Sequence, residues 1–294
     1  VTDAPVSIAS DQLSATIHRH GAELWSLRDA QGRELMTDAD PRWWTGHAPL
    51  LFPFVGRSRG DVYRLDGCDY PMPQHGFARR SAFALIDHSE DAATFRLEAD
   101  AASLAVYPFT FRLDMDFAID GVSLRMTATV TNRGEAVMPF SFGYHPAFAW
   151  PLPYGGASED HRIVFEKPEP APIRKVGEEP GLSARESVAS PVDGDTLVPS
   201  HAMFAGDALI WDELNSRSLL WGVPGQPRLK IDFPDTPWLG LWQKPGAHYL
   251  CIEPWAGMAD LVGFEGDVWD KQGIIALPPG QSRAFRMDVS LVDV

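Results

Sequence analysis

Three short segments of the chain carry side chains suited to moving protons at a small polar substrate. The first is Pro73-Gln74-His75-Gly76-Phe77-Ala78-Arg79-Arg80. A glycine beside the histidine allows a tight turn that presents the imidazole to a cleft. The second is Phe142-Gly143-Tyr144-His145-Pro146-Ala147-Phe148. Here Pro146 biases His145 toward extended geometry and ends a strand, so the ring projects from a strand end. The third is Cys251-Ile252-Glu253-Pro254-Trp255. A glutamate in such apolar company is desolvated, which raises its pKa toward the range where a carboxylate works as a general base. Each segment also has an ordinary reading, as a hydrogen-bonded structural histidine or a buried, paired acid. Spacing alone does not bring positions 75, 145 and 253 together in space.

The elements that must position these residues are strands. In Phe111-Arg112-Leu113-Asp114-Met115-Asp116-Phe117-Ala118-Ile119, the apolar side chains share one face and the charged ones the other. Asp120-Gly121 follows, and then Val122, Leu124, Met126, Ala128 and Val130 alternate with polar residues. Two alternating runs around Asp-Gly predict a hairpin, with a type I′ turn that places both central residues at positive φ. Asp66-Gly67 predicts a second such turn. Shorter alternating pieces recur along the chain, and no stretch sustains a helical stripe capped at both ends. Many short, turn-punctuated strands imply an all-β sandwich or barrel. Residues 151–199, rich in Pro, Gly, Ser and Glu, read as a long surface excursion within one domain covering 1–294.

Composition narrows the partners. The chain has 294 residues, ample to bury a large core, and 50 of them are Gly or Pro (25 of each), which suits short strands and many turns. A net charge of −15 opposes binding to a nucleic-acid backbone or an anionic membrane surface. No apolar run approaches the ~20 residues of a membrane helix. The N-terminal VTDAPVSIAS has neither a basic nor an apolar signal region, so a cytoplasmic location is expected. Cys68 and Cys251 are expected to be free, buried thiols.

Five segments, in order along the chain, resemble the signature regions of the aldose 1-epimerase (galactose mutarotase-like) family, especially its shorter bacterial branch. They are Gly21-Ala22-Glu23-Leu24, Pro49 through Arg57, Gln74 through Arg79, Gly143 through Phe148, and Cys251 through Trp255. The resemblance implies a β-supersandwich of two large antiparallel sheets with a sugar cleft, and a cofactor-free enzyme that interconverts the α and β anomers of an aldose. It implies Glu253 as general base, His145 as general acid, His75 as a second active-site imidazole and Arg57 as a substrate contact. Asp207, in Gly206-Asp207-Ala208, is the candidate for the family's hydroxyl-holding acid. Such chemistry removes the proton from the C1 hydroxyl while protonating the ring oxygen, and then reverses the roles on the other face. Sugar faces stack on aromatic rings, for which Trp43, Trp44, Phe77, Trp242 and Trp255 are candidates.

Rival readings stay open at this stage. His75, His145 and Glu253 formally make a two-His-one-carboxylate metal set, although none forms a close-spaced pair. A sugar-binding sensor without catalysis fits the same residues. A glycosidase needs two carboxylates, with Asp260 the second candidate beside Glu253. Arg57, Arg59, Arg79 and Arg80 make a hexose 6-phosphate conceivable beside a neutral hexose. Monomer and homodimer are equally compatible with the sequence.

Overall fold

The computed structural model describes residues 4–293; the first three residues of the N-terminal segment read above lie outside it. Two large antiparallel sheets dominate, one of nine strands and one of eight, with a three-stranded sheet and two small ribbons beside them. The nine-stranded sheet is centred on Ser282–Asp293, Ser123–Asn132 and Phe111–Asp120. The alternation seen in the sequence sets its inner face. Phe111, Leu113, Met115, Phe117 and Ile119, with Leu124, Met126, Ala128 and Val130, are all buried in one continuous core. Burying such side chains contributes roughly 1.5–3 kcal/mol each.

The hairpin forms, with Asp120 paired to Ser123, but its turn differs from the expected one. Gly121 and Val122 are the central residues, and only Gly121 has positive φ, +55°. This is the type II′ pattern, in which glycine at the first central position spares the β-branched Val122 the left-handed region. At Asp66-Gly67 both residues have positive φ (+50° and +81°), as a type I′ turn requires. Residues 151–199 supply strands to both large sheets, Arg162–Phe165 and Thr196–Leu197 to one, Ile173–Val176 and Ser183–Val188 to the other. Cys251 is buried as expected; Cys68 is exposed, because it opens the short surface ribbon strand Cys68–Pro71. Among the described residues no helix is long and apolar enough to cross a membrane.

The eight-stranded sheet carries the strand that matters most for chemistry, Tyr249–Ala256, every residue of which is buried. It pairs with Trp238–Trp242 on one side and with Phe142–Tyr144 and Ala147–Ala149 on the other. Near it the segment Phe52–Gly56 is clamped to the turn at His75-Gly76. The Phe52 carbonyl accepts from the Phe77 and Ala78 amides, and the Gly56 carbonyl accepts from the His75 amide at 2.7 Å. Gly76 sits at φ +70°, and a Cβ there would lie 2.1 Å from the Phe52 carbonyl oxygen. Only glycine lets these two backbones meet.

The Gly76→Ala variant is therefore expected to lose about 2–4 kcal/mol, from overpacking added to left-handed strain. Gly67→Ala, with open space around its Cβ, should lose only about 1 kcal/mol. Urea denaturation of the two variants side by side measures the difference; equal losses would show that the close approach at Gly76 is not a constraint.

Candidate active site

A cavity of about 370 Å³ opens over the strand Tyr249–Ala256, and its wall contains Glu253, His145, His75, Arg79, Asp207, Trp44, Trp242 and Trp255. The period of two along this strand points Tyr249, Cys251, Glu253 and Trp255 to the cavity side, while Leu250, Ile252 and Ala256 join the main core. Glycines on both neighbouring strands make room for the Trp255 indole. A Cβ on Gly240 would lie 2.5 Å from the ring, and one on Gly143 would lie 2.6 Å from it. Trp255 in turn roofs the carboxylate two residues away.

His145 reaches the cavity from the end of Phe142–Tyr144. Its neighbour Tyr144 points the opposite way, its hydroxyl donating to the Phe285 carbonyl at 2.8 Å and accepting from the Ala128 amide at 3.1 Å. That anchor fixes the phase of the strand end and turns the next side chain into the cleft. His145 Nε2 stands 3.2 Å from Glu253 Oε2, and both groups are almost wholly buried. Trp44 and Trp242 close around the imidazole, with ring centroids 5.1 and 5.8 Å away, and meet each other edge-on at 5.4 Å.

His75 adopts a left-handed backbone, φ +65°, and its ring lies 5.6 Å from that of His145. Its Nδ1 is 3.1 Å from the Gly56 amide nitrogen. A backbone N–H only donates, so Nδ1 accepts and the neutral ring carries its proton on Nε2. Gln74 lies 3.3 Å from that Nε2 and accepts from it once its amide oxygen is turned inward.

Not every residue expected at the site is there. Arg57 gives its donor fork to Asp61, at 2.7 and 2.6 Å, and a further donor to the Pro180 carbonyl. Phe77 packs against Phe52, Tyr107 and Phe111, away from the cavity wall. Trp43 lies behind the wall, beside Gly246. Asp260 is no partner for Glu253, since it is buried against Lys271 Nζ at 2.5 Å and accepts from the Arg59 amide. In place of Arg57, Arg79 enters the cavity, and among the described residues no carboxylate lies within ion-pair distance of it. Lys244, Gln74 and Ser183 also line the wall and were not singled out as site residues from sequence. Arg79 was visible in the sequence, four residues after His75, but nothing there distinguishes it from Arg57 or Arg80.

The family model for aldose 1-epimerases matches residues 5–276 of the chain. The chain belongs to the aldose 1-epimerase family. Protein LacX, chromosomal, of Lactococcus lactis subsp. lactis is 30% identical over 299 residues, spanning 98% of this chain and 99% of that protein. A galactose mutarotase-like protein from Lactobacillus casei superposes with a TM-score of 0.91 at 30% identity, over 98% of this chain and all of that one. A galactose mutarotase related enzyme from Lactobacillus acidophilus gives 0.89 at 29% identity, over 98% and 97%. The fold is the mutarotase-like β-sandwich that the signature segments implied.

The electrostatics of this aldose 1-epimerase family cavity follow from burial. Desolvation pushes the Glu253 carboxyl well above the usual carboxylate range; the nearby Asp207 charge adds to this and Arg79 opposes it. Burial, assisted by the Arg79 charge, lowers His145 to about 3. His75 also falls well below the usual imidazole value through burial and its cationic neighbours. Each member of the His145–Glu253 pair is thus driven toward its neutral form, and the pair holds one proton. The Trp255 side chain lends the Glu253 carboxylate a weak hydrogen bond that opposes its rise, and Ser183 Oγ is a buried polar atom of the wall without a protein partner.

The ring resonances of His75 and His145 are therefore expected to stay those of neutral imidazoles from pH 5 to 8 in nitrogen-15 NMR, with His75 protonated on Nε2. A midpoint near 6.5 for either ring, or a proton on His75 Nδ1, would contradict this electrostatic picture.

Proposed function

We propose that the chain is an aldose 1-epimerase that interconverts the anomers of a neutral hexopyranose, with Glu253 and His145 as the acid–base pair. The observation that carries this reading is the 3.2 Å separation of His145 Nε2 and Glu253 Oε2. Opening a pyranose requires one proton to leave the C1 hydroxyl and one to reach the ring oxygen. Both oxygens are bonded to the same carbon, so the two groups that serve them must be near neighbours. A glycosidase instead spaces its carboxyl groups about 5–9.5 Å apart around the bond.

The chemistry needs only the one proton that the pair holds. With the proton on the imidazole, Glu253 takes the C1 hydroxyl proton while His145 protonates the ring oxygen, and the C1–O bond breaks. The open-chain aldehyde turns about C1–C2 and recloses on its other face as the two groups exchange roles. With the proton on the carboxyl, the same cycle begins with the roles exchanged. His75, protonated on Nε2, exchanges its Gln74 acceptor for a sugar oxygen when substrate enters, and Arg79 binds hydroxyls through its planar fork. Asp207, exposed at the rim, accepts from hydroxyls. Trp44 and Trp242 offer ring faces to the sugar.

A neutral sugar is favoured by how the arginines are used. Arg57 is paired with Asp61, Arg59 with Glu179 and Glu265, and Arg80 donates to the Gly76 carbonyl. Of the four, only Arg79 is left in the cavity wall, where Lys244 is the other cation and the Glu253 and Asp207 carboxyls on the same wall disfavour an anionic group. A phosphate group normally engages more than one free cation.

Magnetisation-transfer NMR on glucose, galactose and glucose 6-phosphate, with EDTA present, tests the reading. Anomeric exchange above the buffer rate is expected for at least one neutral hexose. Glu253→Gln should lose it by about 10²–10⁴-fold. Binding without faster exchange across a broad sugar panel would instead indicate a sensor.

The pH profile gives a second test, because its limbs belong to the pair. Adding a second proton requires the depressed imidazole, near 3, so kcat/KM should hold from neutrality down past pH 5. Losing the shared proton requires the raised carboxyl, so activity should fall on the alkaline side, above the ordinary carboxylate range. A loss on acidification with a midpoint near 6.5 would refute the shared-proton scheme. Separately, Arg79→Ala is expected to cost at least about tenfold in kcat/KM, whereas Arg57→Ala should mainly lower stability; the reverse ranking in steady-state kinetics would move the substrate contact to Arg57.

A further inference from the structure

Cys251, on the cavity side of the Tyr249–Ala256 strand, carries a metal-ligating thiol to which the acid–base scheme gives no part. It stands two residues from Glu253 on the same face and is wholly buried. Across the ladder it pairs with Ala147, two residues after His145. The ligand atoms of His145, Cys251 and Glu253 all lie within 4.8 Å of one another. This set differs from the His75, His145 and Glu253 combination visible in the sequence, since a thiol takes the place of the second imidazole.

We propose that His145, Cys251 and Glu253 form a binding site for a thiophilic divalent cation, with Zn²⁺ the best match, and that the metal inhibits the enzyme by occupying its acid–base pair. The donor set is one nitrogen, one sulfur and one carboxylate oxygen, which suits Zn²⁺ and disfavours the oxygen-seeking Mg²⁺ and Ca²⁺. Two ligands bound at about 2.0–2.1 Å in a tetrahedral site stand roughly 3.3 Å apart. The observed His145–Glu253 separation is 3.2 Å, so two of the three ligands already have the required spacing. Glu253 Oε2 is buried without a well-aligned hydrogen bond, and its near neighbour is the His145 Nε2 that would share the metal with it. Coordination through Nε2 leaves the imidazole proton on Nδ1. The fourth position faces the cleft, where water or a sugar hydroxyl completes the shell.

The step balances without any redox partner. Zn²⁺ enters, the Cys251 thiol and the Glu253 carboxyl each release a proton, neutral His145 gives a lone pair, and two protons leave to solvent. Burial raises the Cys251 thiol well above its ordinary value, with Glu253 contributing, so affinity should strengthen as pH rises. A metal held here leaves neither group able to exchange a proton with the sugar. The binding site rests on the donor geometry alone; its inhibitory effect rests on the mutarotase reading.

The test uses the tag-free full chain stripped with EDTA, then dialysed free of chelator. Co²⁺ is the spectroscopic probe. Wild type should show a near-ultraviolet thiolate-to-cobalt charge-transfer band, which Cys251→Ser lacks although it keeps the exposed Cys68. Zn²⁺ should abolish anomeric exchange at micromolar concentration and EDTA should restore it. Cys251→Ser should retain exchange without metal and need at least about tenfold more Zn²⁺, since even outer-shell losses cost that much affinity. Equal zinc sensitivity of the two proteins, or an unchanged cobalt band in the variant, would overturn the site. A cobalt band without inhibition would keep the site and overturn its regulatory role. If no sugar is turned over at all, the cobalt band and a zinc-dependent rise in melting temperature still decide the metal question.

Discussion

Bringing the His145 imidazole and the Glu253 carboxyl to 3.2 Å where both are almost wholly buried constrains everything built around them. Neither group is stable there as an isolated charge, because burial penalises the ionised form of each. The protein resolves this by giving the pair one proton to hold between two weakened sites. Burial raises the acid and lowers the base, which inverts their ordinary order and leaves the resting proton on the carboxyl beside a neutral imidazole. On the mutarotase reading the two groups trade that proton through the sugar, since an epimerase runs the same step forwards and backwards at one carbon.

Holding two unlike groups so close without misalignment falls to the sheet rather than to loops. Glu253 sits mid-strand with neighbours on both sides, and His145 leaves the end of an adjacent strand whose phase is fixed by the buried Tyr144 hydroxyl. Gly143 and Gly240 are notches for Trp255, and Gly76 lets the His75 turn lie against Phe52. Each of these glycines lacks a side chain because another group needs the space. Both site histidines lie just outside regular structure: His145 directly follows the strand Phe142–Tyr144, and His75 is tied to Gly56 through both its amide and its ring.

The fold was readable because period-two alternation and Asp-Gly turns are local signals, and the core of the nine-stranded sheet is the alternation seen in Phe111–Asp120 and Ser123–Asn132. The turn type at Gly121 was not, since the register shifts by one residue and Val122 avoids positive φ. At the site, His75, His145, Asp207, Trp242, Trp255 and Glu253 line one cavity. Arg57 and Phe77 do not, and the reason is physical rather than a matter of motif quality. A guanidinium pairs with whichever acid its backbone brings near, and Asp61, four residues on, brings a carboxylate within bidentate reach of Arg57. Which arginine stays unpaired in the wall is decided by that local turn, whose left-handed Asp61 aims its carboxylate back at Arg57, and residue types alone do not foretell the turn. The same holds for Cys251, whose proximity to His145 depends on a strand pairing between positions more than a hundred apart.

The unpartnered atoms of the cavity connect these local arrangements to what the cavity takes up. Buried polar groups in a folded protein are almost always hydrogen-bonded, and an exception calls for a cause. Here Ser183 Oγ is such an exception, Glu253 Oε2 meets only the His145 ring and the Trp255 side chain, and two donors, Arg79 and Lys244, stand beside them. Packing does not require them: an apolar residue at Ser183 or a phenyl ring at Trp255 would fill the space without the desolvation cost. A ligand that both donates and accepts at several points around a compact ring relieves these groups together, and a pyranose presents a hydroxyl on nearly every carbon. A wholly apolar wall would avoid that desolvation cost, and on the mutarotase reading the cost is offset when a polyhydroxylated substrate fills the cavity.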